Sequence, residues 1–339
     1  MLSTRQAYGY GAAVPDLSYD VVGIGNAIVD VISQQEDDFI DSHGLTKGAM
    51  VLIDADRALE LYEAMDVMAE MAGGSAANTM VGVASFGGSA SFIGKVADDG
   101  LGRTFKSDCE ASGVGFDVAP GGEGDPTGRS MIIVTPDAER TLNTYLGAAT
   151  TLYTADIPEA TAASSKYLYC EGYIWDVDVT KEAIRHAIAI AQAAGSKISF
   201  TLSDSFCVDR HFDEWHELLD GPMDLLFGNE EELMSLTRAS TYADAIEAVR
   251  GRAEIVCATL GAKGSLIVTA DETIEIPAIE VDNLVDTTGA GDQYAAGVLY
   301  GLTHGLSLYD SGLLGAKAAA EVISHMGARP LQPLSDFLS

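Results

Sequence analysis

The chain has 339 residues, 47% hydrophobic and 21% charged, enough to bury a large core. It carries 51 acidic against 19 basic residues, a formal net charge of -32. Such a surface repels nucleic acid and anionic membranes, which excludes both as partners. A nucleotide site in this chain must therefore rest on backbone N–H groups, a divalent cation and a few placed basic residues.

Residues 1–18 hold Arg5 but no apolar run, and read as a mobile extension. No segment reaches 18 uninterrupted apolar residues, so the chain is expected to be soluble and cytoplasmic, a monomer or homodimer. Cys109, Cys170, Cys207 and Cys257 form no C-x-x-C pair and read as buried, reduced thiols. The six histidines show no metal-ligand spacing.

From residue 19 onward, apolar β-branched runs alternate with segments of helical period. Strands are expected at 19–25, 90–96, 131–135, 166–170, 197–202, 224–228, 254–259 and 264–269. Helices are expected at 77–85, 98–112, 180–194, 229–236, 242–253 and 293–300. This rhythm predicts a single α/β/α domain over 19–339 with a mainly parallel central sheet. Residues 29–58 and 120–150 break it with strand-like pieces that fit no βα unit. They read as a small β lid over the C-terminal edge of the main sheet, where open α/β folds bind ligands.

The most informative stretch runs Asp286, Thr287, Thr288, Gly289, Ala290, Gly291, Asp292 into a helix. Its small residues leave backbone N–H groups open to an anion, and the helix dipole adds its positive end. A carboxylate at Asp292, beside such a hole, suits a base that takes a proton from an alcohol during phosphoryl transfer. The plainer alternative is a Gly-rich turn whose Asp caps the helix. Arg140 lies in the lid, where a cation could swing onto the transferred phosphate, or stand solvated.

Gly23 and Gly25 begin like a dinucleotide fingerprint, but Ile28 stands where the third glycine belongs, which argues against a nicotinamide site. Gly94 and Lys95 resemble a P-loop end, yet Ser89 and Val96 break the pattern. Asn26 and Asp30 remain, just past a buried strand end, able to hold vicinal hydroxyls or to serve a turn. The loop from Gly73 through Gly74 and Ser75 to Asn78 opens a second helix and could face the same ligand. Asn229 and Glu232 share one helix face, where they could order water around Mg²⁺ or merely start the helix. Thr259, Gly261 and Gly264 form a turn able to receive a nucleotide's phosphates or ribose.

In this order, these motifs resemble the ribokinase-like (PfkB) carbohydrate kinase family, from about Tyr19 to the C-terminus. The specific pieces are the Gly73–Asn78 loop with Gly87 and Gly88, the run 93–102, Asn229 to Glu232, and Asp286 to Asp292. The resemblance implies a three-layer core, a small β lid and transfer of the ATP γ-phosphate to a primary hydroxyl. It implies Asp292 as base, Gly289, Ala290 and Gly291 as anion hole, and Asn26, Asp30, Gly74, Ser75 and Asn78 as sugar contacts. It places Asn229 and Glu232 with Mg²⁺ and phosphate, Thr288 with ATP, and Asp286 and Thr288 beside a K⁺ ion that some relatives need.

Within the family the likeness is nearest to adenosine kinases, through Gly23 to Asp30, Arg140 to Ala149 and the Gly315 to Ala319 run. Thr288 and Ala316 depart from that pattern, and sugar kinases share the Asp-Thr-Thr form. The expected activity is phosphorylation of a ribonucleoside 5′-hydroxyl, adenosine foremost, with a free sugar (ribose, fructose or 2-keto-3-deoxygluconate) as alternative acceptor. Ile28, Val51, Ile53, Met131, Ile133, Leu142 and Tyr145 are expected to wall a flat base, with Tyr173 and Trp175 nearby.

Overall fold

The computed structural model describes residues 17–121, 124–137 and 139–338. The expected extension thus lies, save its last two residues, outside the described ones. The strands are β1 (Tyr19–Ile24), β2 (Ile28–Gln34), β3 (Met50–Leu52), β4 (Ala69–Gly73), β5 (Ala90–Ile93), β6 (Val114–Gly115) and β7 (Gly128–Val134). They continue with β8 (Arg140–Tyr145), β9 (Ser165–Glu171), β10 (Lys197–Thr201), β11 (Leu225–Asn229), β12 (Ile255–Thr259), β13 (Ser265–Val268) and β14 (Thr273–Ile276).

Nine strands form one sheet in the order β14-β13-β12-β11-β10-β9-β1-β5-β6. Pairing is parallel from β6 to β12, and antiparallel at β13 and β14. The continuous apolar reading of β1 has its reason here, since a central parallel strand is covered on both faces. Val21 joins the core beneath the helices Ser75–Ser85 and Ala290–Thr303, while Val22 joins the core beneath Asp178–Ala194. The expected α/β/α layering is what forms.

The second sheet has the order β3-β8-β7-β2-β4. Four of its strands come from the two segments that broke the βα rhythm. The fifth, β4, was not expected: its sequence Ala-Glu-Met-Ala-Gly has no β-branched residue, and it is held by antiparallel pairing with β2. It delivers the chain directly to Gly74, so the small sheet and the second Gly-rich loop are continuous.

Smaller differences have local causes. The strand expected to reach Val96 ends at Ile93, and Lys95 turns to an ion pair with Asp156, no phosphate ligand. Residues 279–285, which lead into the Asp286 loop, form no strand: Glu280, Asp282 and Asn283 break their apolar pattern, and Leu284 and Val285 are exposed. All four cysteines are buried and unpaired. Among the described residues, no helix is long and apolar enough to cross a membrane.

Three helices meet closely because glycines let them. A side chain at Gly82 would strike Ala296 and Gln293, and one at Gly297 would strike the backbone of Gly315. These contacts draw Ala290–Thr303 against both Ser75–Ser85 and Leu308–Val322. The two Gly-rich loops therefore open side by side.

Candidate active site

A cavity of about 560 Å³ lies between the two sheets. The small sheet faces it with Ile28, Asp30, Met50, Ile132 and Leu142; the C-terminal strand ends of the large sheet contribute Glu171, Thr201, Asn229 and Thr259. Thr288, Gly289, Gly291 and Asp292 close one end. Its volume is that of an ordinary small-molecule site, placed where α/β sheets bind ligands.

Asp292 is the centre of the polar end. It sits in the first turn of Ala290–Thr303, yet it does not cap that helix, whose N-cap is Gly289 in left-handed conformation (φ 81°). Its Oδ1 instead accepts the Ser75 hydroxyl at 2.6 Å, and its Oδ2 faces the Asn78 amide at 3.5 Å. The capping alternative is thereby excluded. Burial pushes the Asp292 carboxyl up to about 6, against the two hydrogen bonds that favour its ionised form. Gly291 and Asp292 carry N–H groups with no intrahelical carbonyl to bond. A side chain at Gly291 would meet nothing within 4 Å, so protein packing does not demand the glycine there. An approaching ligand would.

Asn26 and Asp30 both border the cavity. The Asp30 carboxylate lies on Gly73, where any side chain would come within 2.5 Å of it, and burial raises its pKa to about 6 against the charges of Arg140 and Arg329. Gly74 takes φ 91°, and any added Cβ would strike the Asn26 carbonyl, so only glycine fits. Glu171, which sequence reasoning missed, ties these parts together. It accepts hydrogen bonds from the Asn26 backbone and amide and from Ala76 N, and burial lifts its pKa to about 7. Its signal was legible: a carboxylate ending a central apolar strand stands at the ligand edge.

On the opposite side, Asn229 caps the helix Glu230–Thr237 and forms a reciprocal capping box with Glu232. The Glu232 oxygens accept Asn229 N at 2.9 Å and Asn229 Nδ2 at 2.7 Å. Their spacing is thus partly a helix start, but both residues also border the cavity, and burial raises Glu232 to about 7. Thr259 reaches the cavity, whereas Gly261 and Gly264 are not among its lining residues and shape the β12–β13 turn at φ 56° and 94°.

Arg140 is no free arm. Its Nη1 donates to Asp286 Oδ2 and, at 3.0 Å, to Thr288 Oγ1, with both ion-pair partners nearly buried. Asp286 Oδ1 accepts Thr288 N and Oδ2 accepts Gly327 N, each at 3.0 Å. These donors leave the pair a poor fit for K⁺, which needs an oxygen shell and would face the guanidinium's like charge.

A family model described as pfkB family carbohydrate kinase matches residues 44–334. The chain belongs to the PfkB family of carbohydrate kinases. The solved structure of an adenosine kinase from Sinorhizobium meliloti is 46% identical, covering 95% of this chain and 98% of that one, with a TM-score of 0.88. Adenosine kinase 1 of Arabidopsis thaliana is 26% identical over 93% of this chain and 97% of its own length. A 5-dehydro-2-deoxygluconokinase of Shouchella clausii is 27% identical over 78% of this chain and 84% of its own. The fold is therefore ribokinase-like, and kinases of this family use ATP with a divalent metal.

Of the expected wall of this PfkB kinase, Ile28 and Leu142 line the cavity, but on β3 and β7 the lining falls one residue away from the expected positions. Met50, Leu142 and Ile132 stand side by side across β3, β8 and β7 and line the cavity with Ile28 and Leu52. Met131 and Ile133 point to the other face, into the core with Leu61 and Ile40, and Ile53 and Tyr145 pack against that core. Val51 is likewise not among the lining residues, because side chains alternate with period two. Tyr173 reaches the cavity, but Trp175 is buried between Phe200 and Trp215. Phe206 was missed; it borders the cavity while 72% exposed.

Proposed function

We propose that this kinase transfers the γ-phosphate of MgATP to the 5′-hydroxyl of a ribonucleoside, adenosine foremost. The observation that carries the reading is the shape of one cavity: Asp292 at its polar end, and at the other a row of apolar side chains. Met50, Leu52 and Phe206 are 49%, 55% and 72% exposed there, a greasy mouth that a flat base would cover. Asp30 and Asn26 would hold the ribose hydroxyls between them, with Gly74, Ser75 and Asn78 framing the 5′ end.

In the transfer, the acceptor oxygen bonds the γ-phosphorus while the bridging bond to the β-phosphate breaks. Asp292 takes the acceptor proton, and the N–H groups of Gly289 and Gly291 hold the charge spread over the moving group, while Ala290, whose N–H bonds the Thr287 carbonyl at 3.2 Å, keeps the loop small and closed. Arg140, fixed behind Thr288, adds positive charge to the same loop. Glu232 and Asn229 would hold Mg²⁺ through water, and the ion would supply positive charge to the ATP phosphates. Thr259 and Thr288 would border the nucleotide, and the Gly261–Gly264 turn would support it.

The second reading, a kinase for a free sugar, has support in the sugar kinases that the chain resembles. Charge disfavours its acidic acceptors. The cavity is lined by the carboxylates of Asp30, Glu171, Asp176, Asp204, Glu232 and Asp292, and by the guanidinium of Arg210, which Asp176 already holds at 2.6 Å. A sugar acid would meet repulsion, with no free cation among the described lining residues. Comparison of kcat/KM for adenosine, ribose, fructose and 2-keto-3-deoxygluconate with MgATP tests the reading. Preference for any sugar would replace it with the alternative.

A further inference from the structure

The buried Asp286 carboxylate has its counter-charge supplied by the chain itself. Arg140 opens β8 of the small sheet and reaches the anion loop of the large one, where Nη1 bonds both Asp286 and Thr288. The ion pair is 10% and 4% exposed, so water does little to screen it. Thr288 N and Gly327 N occupy the same carboxylate, which leaves it surrounded by donors rather than by oxygens. A carboxylate so buried requires a positive partner, and removing that partner would leave an uncompensated charge. A guanidinium stays protonated at any working pH, whereas the occupancy of a bound ion follows its concentration.

We infer that Arg140 holds the place of a monovalent cation beside Asp286, so that this kinase neither binds nor needs K⁺ at the Asp286–Thr288 loop. The inference goes beyond the acceptor assignment and holds for a nucleoside or a sugar alike.

The test is thermal unfolding of the full chain, without ATP or acceptor, in KCl against tetramethylammonium chloride at equal ionic strength. The wild-type midpoint should differ between the salts by less than about 1 °C, and Arg140→Gln should gain at least about 4 °C in KCl alone. Wild-type turnover on its best acceptor should change less than about twofold when K⁺ is withdrawn. A K⁺-specific rise in the wild-type midpoint, or a tenfold loss of wild-type turnover without K⁺, overturns the inference. So does a folded Arg140→Gln protein indifferent to K⁺. Should that variant not fold unaided, refolding yield becomes the reading: recovery in KCl alone supports the inference, and equal yields in both salts overturn it. Because unfolding is read without substrates, a wrong acceptor assignment leaves these outcomes untouched.

Discussion

Ser75 and Asp292 meet in a 2.6 Å hydrogen bond across 217 residues of sequence. Each opens a helix behind a Gly-rich loop, and the close approach of those helices through Gly82 makes the meeting possible. The bond orients one Asp292 oxygen and favours its ionised form, while burial opposes ionisation. A carboxylate balanced in this way near pH 6 is basic enough to take a proton and still charged at neutral pH.

Replacing Asp292 with Asn tests the base directly. Turnover should fall by about 10²–10⁴ while nucleotide binding persists. The midpoint of thermal unfolding should not fall, since the substitution removes a buried charge. Retention of more than a tenth of wild-type turnover would refute the assignment.

The pH profile of kcat/KM should rise with a limb near 6, where Asp292 loses its proton. Ser75→Ala removes a hydrogen bond to the ionised carboxylate, so the limb should move upward by about one pH unit. A limb unmoved in this variant would show that another group sets the profile.

Stability should run the other way. Asp30, Asp292, Glu171 and Glu232 are all raised in the folded chain, first by burial, to about 6 or 7. Their contribution is therefore full below about pH 4, the unfolded range, and is lost as pH climbs through 6 to 7. Asp20, Asp99 and Asp176 are lowered: hydrogen bonds from Lys166, Thr127 and Arg210 overcome the raising effect of burial. Their contribution is present above about pH 4 and lost as pH falls through their folded values. The ligand-free protein should melt highest near pH ~4, where the two windows meet. A midpoint that rises steadily from pH 5 to 8 would contradict this balance.

Glu232→Gln separates the two roles that its spacing from Asn229 permits. A capping box alone predicts a loss of roughly 0.5–2 kcal/mol of stability with an unchanged Mg²⁺ response. A role at the phosphates predicts a higher Mg²⁺ concentration for half-maximal activity, with the acceptor KM moved less. The second outcome is expected, by Mg²⁺ titration of turnover at fixed ATP.

The sequence was most legible where backbone conformation needs glycine. Gly74, Gly289 and the helix starts behind them could be read because few other residues fit those turns. The seven inner strands of the large sheet, β1, β5 and β9 to β13, were legible as apolar runs, whereas the short edge strands β6 and β14 were not. What escaped were features set by tertiary pairing: β4, which lacks strand propensity, and the phase of β3 and β7, where successive residues are apolar on both faces. Met131, Ile132 and Ile133 are equally apolar neighbours, and tertiary packing, with Leu61 of the helix Ala55–Ala64 and Ile40 in the same core, decides which face is inside. Arg140 was legible as a cation near the site, but its partner Asp286 lies 146 residues away.

That phase gives the sharpest test of the acceptor. Ile132 lines the cavity beside Leu142, while Ile133, one residue on, is fully buried on the opposite face. Ile133→Ala should cost about 2–5 kcal/mol of stability and leave the acceptor's KM nearly unchanged. Ile132→Ala, which truncates a side chain buried nearly as fully, should also cost stability, but in addition it should weaken kcat/KM for adenosine by about tenfold, roughly 1.4 kcal/mol, with little change for ribose. Wild-type kcat/KM should itself favour adenosine over ribose or fructose by at least about tenfold. If Ile132→Ala weakens adenosine and ribose equally, the apolar row does not hold a base, and a free-sugar acceptor becomes the better reading.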